Sequence, residues 1–254
     1  MLKRVMDTHL SNFTDNLNIA IIGSTGGIGS NILSLLLQDM KVEKLYSFSR
    51  NVHDIENNKL VKVKLDISSQ TSINNAIESL ESDLKFDIIL VTTGILHDEE
   101  NLQPEKSLRD INKENFERVF EINTIGPALI MRYFLPKLKR EEKSIFAAIS
   151  ARVGSISDNT LGGWYAYRAS KAALNMLIKN ASIEMARRYK EAAVIGLHPG
   201  PVDTGLSEPF QGNVPPGKLF TPEYSGKKML EVINKTTAQQ TGKIFAWDGT
   251  EIPY

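Results

Sequence analysis

A glycine-rich turn near the beginning of the chain restricts the folds that the sequence can adopt. Residues 19–22 form a short apolar run, and residues 23–29 then contain four glycines as a helical pattern begins over residues 28–38. Glycine lets the backbone turn sharply and approach a ligand, while the N–H groups at a helix start attract an anion. The segment predicts a strand, a turn and a helix that bind a dinucleotide pyrophosphate. A turn that merely closes a strand–helix unit is the alternative.

The glycine spacing is G-x-x-x-G-x-G, a variant of the common G-x-G-x-x-G that performs the same physical task. The candidate cofactor-binding residues in this turn are Gly23, Thr25, Gly27, Ile28 and Gly29. The next predicted strand ends at Ser49-Arg50, where dinucleotide folds often have an acid that binds the ribose 2′-hydroxyl. Because arginine can bind a 2′-phosphate with two hydrogen bonds, the sequence predicts NADP in preference to NAD. A solvated surface role for Arg50 is the alternative.

Short apolar runs alternate with longer helical patterns along the rest of the chain. Strands are predicted at residues 19–22, 45–49, 60–65, 88–91, 144–149, 192–197 and 244–246. Helices are predicted at residues 28–38, 70–81, 113–138, 165–188 and 222–234, with a junction or kink at Gly126-Pro127. Continuously apolar strands between helices are typical of a parallel sheet covered on both faces. The predicted fold class is therefore α/β, a Rossmann-type doubly wound sheet in one catalytic domain over residues 18–254. Residues 1–17 are expected to be an N-terminal extension with little fixed structure.

Composition narrows the classes of protein to consider. The chain has no cysteine, which excludes disulfides and thiolate chemistry, and its 30 basic and 30 acidic residues balance. Neither nucleic acid nor a membrane surface is an expected partner of a chain with no net charge. No apolar stretch approaches the ~20 residues of a spanning helix, and no signal-peptide pattern follows Lys3 and Arg4. We expect a cytoplasmic protein.

Tyr167 and Lys171 lie four positions apart in the pattern of a helix over residues 165–188. Residues at this spacing share one helix face, which places a phenol beside an ammonium group. A nearby cation lowers the pKa of a phenol from its usual value near ~10. The pair could therefore transfer protons near neutral pH, although many helices carry the same spacing without any such role. Tyr165 lacks a partner of this kind, because position 169 is alanine.

These motifs, taken in order, resemble those of the short-chain dehydrogenases/reductases, from about residue 18 to the end of the chain. The motifs are the glycine turn, Asp66 after the third strand, Gly94 after the fourth, Asn123 in a helix, Ser150 after the fifth strand, the Tyr167-x-x-x-Lys171 pair, and Pro199-Gly200 after the sixth strand. Gly162-Gly163-Trp164 and Trp247-Asp248-Gly249 are most similar to carbonyl-reductase and C-factor-like members.

The resemblance implies a role for each matching residue. Tyr167 would donate a proton to a carbonyl, Lys171 would lower its pKa and bind the nicotinamide ribose, Ser150 would bind the substrate oxygen, and Asn123 would hold a water that links Lys171 to solvent. The remaining residues implied in cofactor binding are Asp66 and Ile67 beside the adenine, Gly94, and Pro199, Gly200, Val202 and Thr204 around the nicotinamide. In isolation, Ser150 and Asn123 could instead be a strand-end serine and an ordinary polar helix residue.

Two departures from the family pattern affect the site. Thr92 and Thr93 stand where the family usually has asparagines that brace the strands, which puts local stability in doubt. Ser150 and Tyr167 are seventeen positions apart, a longer gap than is usual, so residues 157–163 should form an extra loop near the substrate.

Other polar and loop segments have more ordinary interpretations. His97 with Asp98, Glu99 and Glu100 is expected to be a solvated loop and not a metal site. His198 is expected to have a structural role. The loop over residues 206–220, rich in proline and glycine, is predicted to be a lid. The family commonly dimerises through the helices at 113–138 and 165–188, so a homodimer is possible, with Met176, Asn180 and Ile183 in the core or at an interface.

The sequence therefore predicts an NADP(H)-dependent oxidoreductase that reduces a small ketone or aldehyde to an alcohol. Leu96, Trp164 and Phe210 near the expected substrate site favour an apolar compound. The alternative is a cofactor-binding signalling or regulatory protein of the same fold with little turnover. Dehydration or epimerisation on the same fold is a further alternative, but relatives with those activities are usually longer.

Overall fold

An eight-stranded sheet forms the centre of the computed structural model, which describes residues 8–254. Its strands are β1 (Leu17–Ile22), β2 (Val42–Ser49), β3 (Leu60–Lys64), β4 (Ile88–Val91), β5 (Ser144–Ile149), β6 (Ala192–His198), β7 (Ile244–Ala246) and β8 (Glu251–Ile252). They lie in the order β3-β2-β1-β4-β5-β6-β7-β8, and all neighbouring pairs are parallel except β7 with β8. The order reverses between β1 and β4, which opens a crevice at the carboxyl ends of these two strands.

Helices cover both faces of the sheet. They are α1 (Gly27–Gln38), α2 (Gln70–Glu78), α3 (Lys113–Phe120), α4 (Gly126–Phe134), α5 (Tyr165–Met185) and α6 (Pro222–Lys235). Ile19 and Ile21 of β1 pack into an apolar cluster with α1 and α6, whereas Ala20 and Ile22 pack into a second cluster with α2, α4 and α5. Alternate residues of one strand thus reach two buried layers, which explains its uninterrupted apolar sequence. The predicted α/β doubly wound class is confirmed.

The predicted junction at Gly126-Pro127 is a π-helical turn over Glu121–Ile125, directly before α4. The N–H of Gly126 bonds to the carbonyl of Glu121 five residues earlier, and the helical path continues without a break. Pro127 has no N–H to donate to the carbonyl of Asn123, so the ordinary α-helical bond is missing at this point. Single π turns of this kind often occur at functional sites.

Residues 8–16 are fixed against the domain, contrary to the expectation of little fixed structure. Leu10 and Phe13 are buried in the cluster formed by α1 and α6. The main-chain N–H of Asn12 donates to Oδ1 of Asn234 over 2.8 Å. The apolar side chains at positions 10 and 13 supply the burial that a charged and polar tail lacks. Residues 1–7 lie outside the described part of the chain.

The outer face of α5 exposes two large apolar side chains. Met176 is 60% exposed and Ile183 is 51% exposed, and Asn180 between them is exposed as well. A place in the core of this chain is thereby excluded for all three residues, and a subunit interface stays a prediction. Over residues 8–254, no helix combines the length and the apolar character that crossing a membrane requires.

Candidate active site

The glycine turn is too tightly packed to hold side chains at three of its positions. Gly23 has a φ of +89°, in the left-handed region that favours glycine. A Cβ atom on Gly29 would lie 2.3 Å from the carbonyl oxygen of Gly23, and one on Gly27 would lie 2.7 Å from Cγ2 of Thr204. Among residues 8–254, no side chain makes a capping hydrogen bond at Gly26, the residue directly before α1. The first N–H groups of the helix therefore remain available to an anion.

Thr92 connects the ends of β1 and β4, a role that the family usually gives to asparagine. Its Oγ1 lies 3.0 Å from the carbonyl oxygens of both Ile22 and Gly23, at the end of β1. The main-chain N–H of Thr92 also donates to the carbonyl of Ile22 over 2.8 Å. The expected loss of local stability is therefore offset, because a hydroxyl replaces the amide as the donor between the two strands.

Two neighbouring cavities lie at the carboxyl edge of the sheet and together are called the trough. The first, of about 370 Å³, is lined by Gly23, Thr25, Arg50, Asp66, Ile67 and Gly94 among others. The second, of about 630 Å³, is lined among others by Gly27, Ile28, Gly94, Ser150, Tyr167, Lys171, Pro199, Gly200, Val202 and Thr204. They share Gly26, Thr92, Thr93 and Gly94. Of the candidate site residues, Gly29 and Asn123 line neither cavity and act through packing and hydrogen bonds.

Arg50 and Asp66 lie at the far end of the first cavity. Asp66 accepts hydrogen bonds from the N–H of Ser68 over 3.0 Å and from its Oγ over 2.7 Å. Partial burial acts to raise the pKa of Asp66, but the bonds from Ser68 and the charge of Arg50 hold the pKa below its usual value. Arg50 is itself exposed. The first cavity is thus lined by a carboxylate held by Ser68 and by an exposed arginine.

Tyr167 and Lys171 are both buried on the inner face of α5, as their spacing predicts. Nζ of Lys171 donates to the carbonyl oxygen of Ile149 over 2.8 Å and lies 5.7 Å from the centre of the Tyr167 ring. Burial raises the pKa of Tyr167 to about 12 and lowers that of Lys171 to about 8. The expected lowering of the Tyr167 pKa is wrong for this arrangement, because desolvation of the phenolate outweighs the distant cation.

Asn123 is fully buried within the π turn and ties it to the loop after β4. Its Oδ1 accepts from the N–H of Ile95 over 2.9 Å, and its Nδ2 donates to the carbonyl of Ile95 over 2.8 Å. A Cβ atom on Gly94 would lie 3.5 Å from Oδ1 of Asn123 and 3.6 Å from Nζ of Lys171. The side chain of Asn123 thus fixes the loop at Gly94. Because Pro127 has no N–H, the main-chain carbonyl of Asn123 lacks the usual α-helical donor.

Ser150 lies in the second cavity beside a polar partner that the sequence analysis missed. Its Oγ donates to Oδ1 of Asn175 over 2.6 Å, and both side chains are buried. Asn175 follows Tyr167 by eight positions, so it occupies the same face of α5 two turns later. That spacing was the available signal for Asn175, which sets the direction of the Ser150 hydroxyl.

Aromatic and apolar residues form the outer wall of the second cavity. The ring centres of Trp164 and Phe210 are 5.0 Å apart, and Leu96 belongs to the same apolar cluster. Phe210 belongs to a 3₁₀ turn over Glu208–Asn213 within the predicted lid. At the inner end, a Cβ atom on Gly200 would lie 2.6 Å from the Phe220 ring and 3.0 Å from that of Trp247. Trp164, which directly follows residues 157–163, therefore meets the predicted lid at this wall, whereas the lining of the cavity includes none of residues 157–163.

Two histidines, His97 and His198, lie near the site in different surroundings. Nε2 of His97 lies 3.0 Å from the carbonyl oxygen of Gly205, which joins the loop after β4 to the loop after β6. His198 lines the second cavity, and burial, with the charge of Arg152, lowers its pKa to about 4. Over residues 8–254, no three His, Cys, Asp or Glu side chains converge as metal ligands would.

A glycine turn at the start of α1 and a Ser–Tyr–Lys set, which line two neighbouring cavities of a doubly wound sheet, are typical of a nucleotide-dependent oxidoreductase. A family described as short chain dehydrogenase matches residues 17–214. The chain therefore belongs to the short-chain dehydrogenase family, as its motifs predicted.

Individual relatives are consistent with the predicted subgroup. The C-signal of Myxococcus xanthus is 35% identical over 148 residues, which cover 58% of this chain and 84% of that protein. The 1-hydroxy-2-glutathionyl-2-methyl-3-butene dehydrogenase of Rhodococcus sp. (strain AD45) is 31% identical over 191 residues, which cover 75% of this chain and 78% of that enzyme. The NADPH-bound carbonyl reductase from chicken fatty liver superposes with a TM-score of 0.80 at 23% identity, covering 96% of this chain and 97% of that one.

Proposed function

We propose that this protein is an NADP(H)-dependent reductase that converts a ketone or aldehyde into an alcohol, with Tyr167 as the proton donor. The observation that carries the proposal is that Ser150, Tyr167 and Lys171 line the same cavity as Pro199 and Val202. A carbonyl compound in that cavity would contact both the hydroxyl groups and the end of the trough where a nicotinamide would lie. The bound reduced nicotinamide would supply the hydride.

The protonation states favour reduction. With a pKa raised to about 12, Tyr167 is a neutral phenol at pH 7 and so carries the proton that the reaction needs. An alkoxide is more basic than a phenolate, so a phenol with this pKa still donates to the oxygen that forms. Lys171, with a pKa lowered to about 8, remains largely protonated at pH 7 and can stabilise the phenolate left behind.

Ser150 would stabilise the same oxygen. Its hydroxyl points to Oδ1 of Asn175 at 2.6 Å, and rotation about its Cβ–Oγ bond would redirect the proton toward a substrate carbonyl. Such a donor lowers the barrier most when it lies where negative charge develops in the transition state.

Arg50 supports NADP as the cofactor. It is exposed at the end of the first cavity, at the carboxyl end of β2 where a 2′-phosphate would lie. The charge of Arg50 lowers the pKa of Asp66 from a distance, so the guanidinium group remains available to bind a phosphate. We expect a higher kcat/KM with NADPH than with NADH, and Arg50→Ala should reduce this ratio. An unchanged ratio in the variant would refute the role of Arg50.

The walls of the second cavity support an apolar carbonyl compound as substrate. Leu96, Val153, Trp164 and Phe210 line the side away from the glycine turn. Arg152, the cation on this wall, is paired with Asp158 at 3.1 Å. A substrate with an apolar body would bury these side chains without separating that ion pair.

One assay tests the proposal directly. NADPH oxidation is followed by absorbance against a panel of aromatic and aliphatic ketones and aldehydes, for the unaltered protein and for Tyr167→Phe. Tyr165→Phe, on the first turn of the same helix, is the matched control. Turnover that is lost in Tyr167→Phe and kept in Tyr165→Phe supports the proposal. NADPH binding without turnover of any compound would favour the alternative of a signalling protein, a role that the name of the C-signal relative also suggests.

A further inference from the structure

The helix that carries Tyr167 begins without a local cap. Gly162, Gly163 and Trp164, which lead into α5, all have positive φ angles, of 65°, 65° and 50°. Trp164 occupies the cap position in the left-handed conformation, and its side chain makes no capping hydrogen bond. A non-glycine residue is strained in this region, and such strain persists only where surrounding contacts enforce it.

Glu105, sixty residues earlier in the loop after β4, supplies the missing contacts. Its Oε2 accepts from the N–H of Ala166 over 3.1 Å, in the first turn of α5. Its main-chain carbonyl accepts from the N–H of Trp164 over 2.5 Å. A carboxylate at this point also faces the positive end of the helix dipole. A distant residue thus performs the capping that Ser, Thr, Asp or Asn usually provides locally.

Capping of α5 uses only one oxygen of the Glu105 carboxylate, and it does not explain why the other oxygen is buried as well. The side chain is 3% exposed, and its Oε1 has no hydrogen-bond partner among residues 8–254. A buried polar atom of this kind is costly, and a serine or threonine at position 164 could cap the helix without that cost. Position 164 instead carries a tryptophan, which forms part of the substrate cavity.

Trp164 connects the Glu105 contact to the reacting groups. Its ring centre lies 6.1 Å from that of Tyr167 and 5.0 Å from that of Phe210, each in an edge-to-face arrangement. Arg168 supports the loop from the other side, since its Nε lies 3.1 Å from the carbonyl oxygens of both Gly162 and Gly163. Arg168 therefore holds the carbonyl groups of the loop, and Glu105 holds the N–H groups on either side of Tyr165.

We propose that Glu105 is a positioning residue for the reaction, which fixes Trp164 in its left-handed conformation as a cavity wall and sets the location of the Tyr167 phenol. This inference rests on the proposed reductase function. Substitution of Glu105 keeps its main-chain contact with Trp164 and removes the side-chain contact with Ala166. Loss of that side-chain contact should release the first turn of α5 and let Trp164 relax to an ordinary backbone conformation. A displacement of about 1 Å at a reacting group can lower a rate about a hundredfold, so kcat should fall about 10- to 100-fold.

The test compares Glu105→Ala, Glu105→Asp and Glu105→Gln with Glu100→Ala, an exposed glutamate on the same loop. Glutamine retains an oxygen of the right reach for Ala166, whereas aspartate is one methylene too short. We expect Glu105→Gln to keep most of the kcat, Glu105→Ala and Glu105→Asp to lose it, and Glu100→Ala to be unaffected. Binding of NADPH, measured by fluorescence titration, should stay within about twofold in all four variants, because the glycine turn lies elsewhere.

Trp164 provides a readout that does not depend on turnover. The chain has two tryptophans, so in a Trp247→Phe background the emission reports Trp164 alone. In that background Glu105→Asp should shift the emission to longer wavelength and increase quenching by acrylamide, whereas Glu105→Gln should not. Unchanged emission in a folded Glu105→Asp variant, or equal kcat in Glu105→Asp and Glu105→Gln, would overturn the inference. If the unaltered protein reduces no carbonyl compound, the reductase proposal fails, and the emission still decides whether Glu105 holds Trp164.

Discussion

Replacing Lys171 with methionine should stabilise the protein at pH 7 while removing the proposed reductase activity. Lys171 is buried, and burial lowers its pKa from 10.5 to about 8. That fall corresponds to about 3 kcal/mol of unfavourable free energy for holding the charged form in the folded protein at neutral pH. Methionine has a similar length and no charge, so it should occupy the same space without this cost.

The hydrogen bond that Lys171 makes reduces the expected gain. Its Nζ donates to the carbonyl oxygen of Ile149 over 2.8 Å, and methionine would leave that acceptor without this partner. A buried acceptor that loses its donor costs about 1–3 kcal/mol. The net gain in the free energy of unfolding at pH 7 should therefore be about 1–2 kcal/mol at most.

The pH dependence of the difference is the sharper measurement. Between pH 8 and 10.5, Lys171 loses its proton in the folded state but keeps it in the unfolded state. The unfolded state then binds more protons, so the stability of the unaltered protein rises with pH relative to that of Lys171→Met. The advantage of the variant should shrink across this window and change sign before pH 10.5, where the lost hydrogen bond should leave the variant less stable by about 1–3 kcal/mol. The titration of Tyr167 is common to both proteins and largely cancels in the comparison.

Urea unfolding followed by circular dichroism at several pH values between 7 and 10.5 measures this difference. Lys179→Met is the matched control, because Lys179 is an exposed lysine two turns later on the same helix. The control should show a small difference that does not vary with pH. A Lys171→Met variant less stable than the unaltered protein at pH 7, or a difference independent of pH, would refute the reasoning.

Three further substitutions test contacts in the trough. Asn175→Leu should lower kcat about tenfold or more with little change in NADPH affinity, because it removes the partner that holds the Ser150 Oγ in place at 2.6 Å; steady-state kinetics and fluorescence titration separate the two effects. Thr92→Val should lower the free energy of unfolding by about 1 kcal/mol in urea, through loss of the hydroxyl contacts to β1. Gly27→Ala should weaken NADPH binding about tenfold, because the added Cβ would lie 2.7 Å from Thr204; equal dissociation constants for the variant and the unaltered protein would contradict this.

The parts of the fold that follow from local pattern were predictable from the sequence. Most of the seven strands of the parallel sheet were found because they are short apolar runs between helical patterns, whereas β3 alternates apolar residues with lysines. The eighth strand, Glu251–Ile252, has two residues and no periodicity to detect. The fixed structure of residues 8–16 was not predicted, because it depends on the burial of two side chains, Leu10 and Phe13. Two apolar residues in so short a segment form no detectable pattern.

The candidate site was predictable where spacing along one helix determines proximity, and less so elsewhere. The Tyr167 and Lys171 side chains share a face of α5 as expected. The direction of the Tyr167 pKa was not predictable, because it depends on burial by surrounding elements and not on the neighbour four positions away. Glu105 was missed because its contacts with Trp164 and Ala166 depend on the path of a loop whose sequence has no periodic signal.

The aromatic contact behind Gly200 has a consequence for exchanging segments between relatives. The family match ends at residue 214, yet Phe220 and Trp247 pack against Gly200 from beyond that limit. Their ring centres are 4.6 Å apart, and both stand where a side chain on Gly200 would have to be. In a chimera joined after residue 214, Gly200 would come from one relative, and the two rings that pack against it would come from another. Its cofactor pocket would depend on whether the donor of the last forty residues supplies aromatic rings of the same size at both positions.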